Sequence, residues 1–199
     1  RLVCRIPRGR RRGIVRERAG HLPQVRLTAR QLSDIEMIAV GAFSPLEGFM
    51  REGDYWHVVH HMRLASGLVW TLPVTLAADA EVAANLRVGS EVALVTQWET
   101  PVATLELSEK YECDKRAEGR LVYGTEDEAH PGVAALYAQG DVLLAGRVTV
   151  FGLPARQSLA DLRLTPADTR RIFAARGWRR IVGFQTRNPI HRAHEYLLK

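Results

Sequence analysis

Two cysteines in 199 residues are too few for a disulfide framework, and Cys4 and Cys113 have no metal-ligand spacing. A reducing, cytoplasmic setting is the resulting expectation. No apolar run approaches the roughly 18 residues that a helix needs to cross a bilayer, so a membrane-spanning helix is excluded. The glycines form neither a G-x-x-x-x-G-K-[ST] phosphate loop nor a G-x-G-x-x-G fingerprint. The zinc pattern H-E-x-x-H also fails, because Leu198 stands where its second histidine would fall after His194 and Glu195. No metal site is expected. Internal repeats and low-complexity segments are missing as well. Arg1 stands in place of a starting Met with no signal-like apolar segment behind it, which points to a trimmed or partial chain.

What is present is an ordinary globular composition, 46% hydrophobic and 25% charged, over a length that suits one large domain or two small ones. The net charge of +6 is local. Residues 1–20 hold eight arginines against Glu17 alone, whereas the remaining 179 residues carry 20 basic and 21 acidic side chains. The basicity therefore belongs to an arm, residues 1–26, and not to a face of the fold. A solvated arm is expected, and nucleic acid is not expected as a partner.

Beyond the arm, Thr28 is placed to cap a helix in which Leu32, Ile35, Ile38 and Ala39 recur at helical spacing, and Gly41 ends it. Ser44-Pro45 and Gly48 mark a turn between Phe43 and Phe49. A second helix is predicted over 54–64. Its His57 and His61, four apart, could suit a metal, but no third ligand is evident and a helix surface is the expected role. Strands are predicted over 70–77, 91–97 and 102–108, the last two joined by a short turn, and a long one over 141–151. Between them, "SEKYECDKR" is expected as a short helix capped by Ser108. "HPGVAALYAQG" is another, with Pro131 near its start and Gly140 at its stop.

The character changes near residues 155–165. Thr165 as N-cap, Pro166 at the first helical position and Gly177 as terminator define a helix. "RRIVGF" then suits a short buried strand, "QTRNP" a loop, and "IHRAHEYLLK" the start of a helix. That order is an α/β pattern, and in an open α/β sheet ligands bind beyond the strand's carboxyl end. Arg187 offers a planar set of donors for phosphate or sulfate oxygens, Gln185 and Asn188 add neutral donors, and His191 and His194 are three apart on one helical face. Each alone could be a helix cap or a first-turn residue. Taken together they supply the same kind of partner, one suited to an anion or nucleotide.

These last residues, "FQTRNPIHRAHEYLLK", resemble the signature of ATP sulfurylase, sulfate adenylyltransferase. "LSDIEMIAVGAFSPLEGFM", "MRLASGLVWTLPVTL", "YGTEDEAHPGVAALYAQGDVLLAGRV" and "LTPADTRRIFAARGW" resemble further blocks of that family, in order, from about Leu27 to Lys199. The H-x-x-H is similar to the histidine motif of the nucleotidylyltransferase superfamily. The resemblance implies attack of a sulfate oxygen on the α-phosphorus of MgATP, giving adenylyl sulfate and pyrophosphate, with MgATP as substrate and no tightly bound cofactor. It implies that Gln185 and Arg187 hold sulfate, that Thr186, Arg187 and Asn188 form the active-site loop, and that Gln185, Asn188, His191 and His194 meet ATP. It further implies a homo-oligomer.

The fold so implied is α+β / α/β. A mostly-β PUA-like domain over 27–158 would be followed, over 159–199, by the first helix-strand-loop-helix unit of a Rossmann-like nucleotidylyltransferase domain. Two departures stand out. "IPRGR" lies near where the family often has a "PHGG" stretch, and no G-R-D-H-A-type loop occurs. An incomplete catalytic domain, inactive by itself, is the expectation. The alternatives are an RNA-binding PUA-like module with an arginine-rich arm, or part of a bifunctional sulfate-activating protein.

Overall fold

The computed structural model describes residues 1–153 and 162–199. The chain divides into two units, Arg1–Ala167 and Asp168–Lys199.

The first unit is built on a six-stranded mixed sheet, with strands β1 (Gln24–Arg26), β2 (Gly48–Phe49), β3 (Ala77–Ala78), β4 (Glu91–Val95), β5 (Pro101–Glu112) and β6 (Val142–Val150). The order is β1-β4-β5-β6-β2, and β3 also pairs with β6. Only β1 and β4 run parallel; the other pairs are antiparallel. β4 is a continuous apolar run because both of its faces are covered. Val92 and Leu94 enter the main core with Ile35, Tyr55, Leu105 and Leu143, while Ala93 and Val95 meet Val15, Ala19 and Phe151 on the opposite face.

The predicted punctuation explains the helices that cover this sheet. Thr28 closes a capping box on α2 (Ala29–Val40): its hydroxyl accepts from the Gln31 N–H at 3.2 Å, and the Gln31 side chain accepts from the Thr28 N–H at 2.9 Å. Gly41 ends α2 at φ 82°, a left-handed conformation that glycine adopts without strain. Helix α3 spans Glu52–His61 and buries Tyr55, Val58 and Val59; its histidines lie toward its end. Short helices α4 (Ala80–Ala84), α5 (Lys115–Glu118) and α6 (Pro131–Tyr137) complete the layer, with a π-helical turn over Gly119–Tyr123. The last of these has Pro131 at its start, as expected, but stops at Tyr137 rather than at Gly140.

Four expectations are corrected. Residues 1–26 are not a solvated arm. Helix α1 (Arg10–Ala19) buries Val15 and Ala19, and β1 extends the sheet. The Arg5 N–H donates to the Ala39 carbonyl at 3.0 Å, and Val150 N–H donates to Arg5 at 2.9 Å. Charge counting missed this because apolar positions four apart are diluted by arginine.

Second, "SEKYE" is strand, not helix. β5 continues through it, pairing Tyr111 with Leu143 and Glu112 with Val142 after a register shift between Leu107 and Glu109. Nonlocal pairing overrides the helical preference of Glu and Lys. Third, of residues 70–77 only the end is strand, because Pro73 has no N–H to donate to a ladder. Fourth, "RRIVGF" forms no strand. Ile181, Val182 and Phe184 are exposed, and among the described residues of that unit no other strand is present to pair with it.

The second unit contains most of α7 (Pro166–Ala175), an extended stretch, a turn at 187–188 and α8 (Arg192–Leu198). Pro166 opens α7, and Gly177 at φ 65° follows its end. The chain is thus a mixed α/β protein with an open sheet.

Candidate active site

The second unit's loop is organised from its own backbone outward. After α7, Phe173 and Trp178 stack with ring centroids 6.0 Å apart, and the Arg176 guanidinium lies 4.8 Å above the Trp178 ring. The chain then runs extended to Thr186. There the hydroxyl both accepts from the Asn188 N–H and donates to the Asn188 carbonyl, each at 3.1 Å. This local clamp sets a tight bend across Arg187. Pro189 keeps Asn188 out of the helical region, so the helix cannot begin earlier.

His191 occupies the N-cap of α8 with φ −120° and ψ 174°. Its N–H donates to Nδ1 of His194 at 3.4 Å, so Nε2 is the nitrogen of a neutral His194 that carries the proton. The two imidazole rings lie 4.0 Å apart at 33°. Phe184 meets the His194 ring edge-on at 5.6 Å. His194 is half-buried as a result, whereas Gln185, Arg187, Asn188 and His191 are exposed.

Among the described residues, Gln185 and Arg187 make no side-chain hydrogen bond or ion pair, so their donors point to solvent with no internal acceptor. The loop therefore presents a guanidinium, two amides and two adjoining imidazoles within one short segment. That set can neutralise an oxyanion and donate to it. It holds no carboxylate beside the imidazoles other than Glu195, which pairs with Lys199 at 2.8 Å.

The fold thus brings His191 and His194 together and joins Thr186 to Asn188; Gln185 and Arg187 remain side chains on the same loop. Phe184 was missed by sequence reasoning. Its only sequence signal is an aromatic just before the polar loop, and its contact with His194 depends on how the chain bends back.

The first unit offers a different kind of site, a cavity of about 270 Å³ with Arg30, Gln31, Asp34 and Glu118 on its wall. Burial pushes both carboxyls, Asp34 and Glu118, above their usual range, and the Arg30 charge opposes this. His57 and His61 face each other at 5.6 Å on α3, and no group of three metal-ligating side chains occurs among the described residues.

Comparison with known proteins matches residues 1–153 to the family described as PUA-like domain and residues 160–199 to ATP-sulfurylase. The chain belongs to the ATP-sulfurylase family. A sulfate adenylyltransferase of Deinococcus radiodurans is 55% identical over 89% of this chain and 45% of its own length. That of Symbiobacterium thermophilum is 52% identical over the whole chain and 50% of its own length. A probable bifunctional SAT/APS kinase of Sorangium cellulosum is 50% identical over the whole chain and 34% of its own length. Among solved structures, a hexameric APS kinase from Thiobacillus denitrificans superposes with a TM-score of 0.76 at 31% identity. It covers all of this chain and 35% of that one. The chain spans about half the length of the sulfate adenylyltransferases it matches.

Proposed function

We propose that the chain provides the sulfate- and ATP-handling loop of a sulfate adenylyltransferase, which forms adenylyl sulfate and pyrophosphate from ATP and sulfate. The observation that carries this reading is the His191–His194 ring pair beside the Thr186–Asn188 clamp, with Arg187 unengaged between them. In this assignment the PUA-like domain takes in residues 1–153, α1 and β1 included, and residues 159–199 are the opening of the adenylyltransferase domain. A cytoplasmic homo-oligomer completes the proposal.

The chemistry requires little from acids or bases. Sulfate is a weak nucleophile with no proton to remove at neutral pH. One of its oxygens forms a bond to the α-phosphorus while the bond from that phosphorus to the α,β-bridging oxygen breaks. The electron pair leaves with pyrophosphate, and magnesium arrives with the nucleotide as part of the substrate. Positioning and charge neutralisation then account for catalysis. Gln185 and Arg187 hold sulfate, Gln185 and Asn188 orient the phosphates, and His191 and His194 donate to the charge that develops there. Removal of a donor of this type costs about 100-fold or more in rate.

Binding to this chain tests the loop directly. Sulfate and MgATP are added separately while the His191 and His194 ring resonances and the Arg187 Nε–H are followed by NMR. Both ligands are expected to shift them, and Arg187→Ala is expected to abolish the sulfate response with the remaining spectrum unchanged. Loop resonances unmoved by tens of millimolar of either ligand would refute the assignment.

A further inference from the structure

The folding of residues 1–26 sorts seven of their nine arginines into two groups. The first group holds the structure. Arg5 Nε donates to the Val148 carbonyl at 2.8 Å, Arg12 Nε donates to the Phe151 carbonyl at 2.7 Å, and Arg18 pairs with Glu91 at 2.8 Å. The second group, Arg8, Arg10, Arg11 and Arg16, is exposed and makes no hydrogen bond or ion pair with any described residue.

Their placement follows from helix geometry. Val15 and Ala19 anchor α1 over Ala93, Val95 and Phe151. With about 3.6 residues per turn, Arg11 and Arg18 fall on one flank, Arg12 and Arg16 on the other, and Arg10 on the side away from the sheet. The flanks of α1 are cationic, while its side away from the sheet carries Arg10 and Glu17 with Gly13 and Ile14 between them. Neighbouring charges on one helix lie within a Debye length of about 8 Å, so the arginines repel one another, and Glu17 is the one acidic side chain of α1 that offsets them.

We propose that α1 is a docking surface for the phosphodiester backbone of single-stranded nucleic acid. The residue type favours phosphate: residues 1–20 contain arginine and no lysine, and the planar guanidinium meets phosphate oxygens in pairs. A membrane surface is a poorer fit, because an interfacial helix must bury an apolar face and that of α1 is already packed on the sheet. A folded acidic protein would present carboxylates on one plane, whereas these arginines surround the helix on three sides, which suits a flexible strand that bends around it. α1 has no Asn, Gln or aromatic side chain with which to read bases, so binding is independent of sequence and steeply dependent on salt.

Fluorescence anisotropy with labelled 20-nucleotide single strands, one of RNA and one of DNA, tests this on the whole chain. Neutralisation of about four phosphates predicts that affinity falls about fiftyfold between 50 and 200 mM salt. Arg10→Ala/Arg11→Ala/Arg16→Ala is expected to weaken binding at least tenfold with an unchanged melting temperature, and the corresponding lysine substitutions to retain most of it. Arg87→Ala/Arg116→Ala, which removes exposed charge elsewhere, is expected to have little effect. Equal binding of RNA and DNA supports backbone recognition, as does preference for either through its sugar. The proposal is overturned by no binding at 50 mM salt or by equal loss in the two alanine variants. Tighter binding to polyglutamate or to phosphatidylserine vesicles than to the oligonucleotides overturns it too.

Discussion

Replacing Tyr55 with phenylalanine removes a single oxygen from one of the most enclosed positions of the first unit. Tyr55 has no exposed surface, and its hydroxyl donates to Oε2 of Glu118 at 2.6 Å. Glu118 is itself 7% exposed. Burial pushes its carboxyl above the usual range, while the Tyr55 hydrogen bond and then the Arg30 charge pull it back. Burial and the adjoining Glu118 also raise the Tyr55 phenol, which stays a donor throughout. A hydrogen bond to a charged partner contributes about 1.5–3 kcal/mol, and one between neutral groups about 0.5–1.5 kcal/mol. Tyr55→Phe should therefore cost about 2 kcal/mol once Glu118 is ionised and about 1 kcal/mol when it is protonated.

The direction with pH follows from proton binding. The folded carboxyl titrates above its unfolded value near 4.5, so between those two points the folded state holds a proton that the unfolded chain has released. The Glu118 contribution to stability is thus greatest at low pH, falls as pH rises through that window, and levels off above the folded value. Glu118→Gln should flatten this slope. In that background Tyr55→Phe should show only the neutral cost, a coupling of about 1 kcal/mol. Urea unfolding followed by tryptophan fluorescence from pH 5 to 9 measures all four corners of the cycle. A Tyr55→Phe cost that does not change with pH, or a coupling of zero, refutes the reasoning.

Four further outcomes are expected. Gly146→Ala should destabilise by more than about 2 kcal/mol, because Gly146 sits at φ 154° and an added Cβ would run into the Glu106 carbonyl. By contrast Gly53→Ala, where nothing lies within 4 Å of the new methyl, should stabilise α3 by about 0.5–1 kcal/mol; thermal melts compare the two. Thr28→Ala breaks the capping box and should cost about 0.5–2 kcal/mol in urea titration. Burial and the Glu118 charge push the Cys113 thiol up to about 11, so maleimide at pH 8 should label exposed Cys4 first and reach Cys113 at a rate that climbs with pH.

Local signals were readable wherever the chain's neighbours in sequence decide its conformation. Thr28 and Gly41 bracket α2 because a hydroxyl cap and a left-handed glycine act within one turn. Pro131 starts α6 for the same reason, and β4 and β6 declare themselves by Val and Leu runs that only a covered strand tolerates. The polar loop was legible too, since Arg187, His191 and His194 share a chemistry whatever their precise arrangement.

What only the tertiary structure decided is nonlocal. The continuation of β5 through Ser108–Glu112 depends on β6, whose Val142–Ala145 supplies the hydrogen-bond partners that Glu and Lys would otherwise find in a helix. Residues 179–184 have strand composition without a ladder, because hydrophobic residues form a strand only beside another strand. Arginine-rich α1 was visible to charge counting as an arm and becomes a folded surface only through Val15, Ala19 and the Arg12 guanidinium bond to the Phe151 carbonyl, with Arg5 ahead of it bonded to the Val148 carbonyl of β6. Sequence alone thus specified which residues share a hydrogen-bond-donor chemistry. The fold specified which of them meet one another, because contact between residues distant along the chain is set by the packing of the elements that carry them.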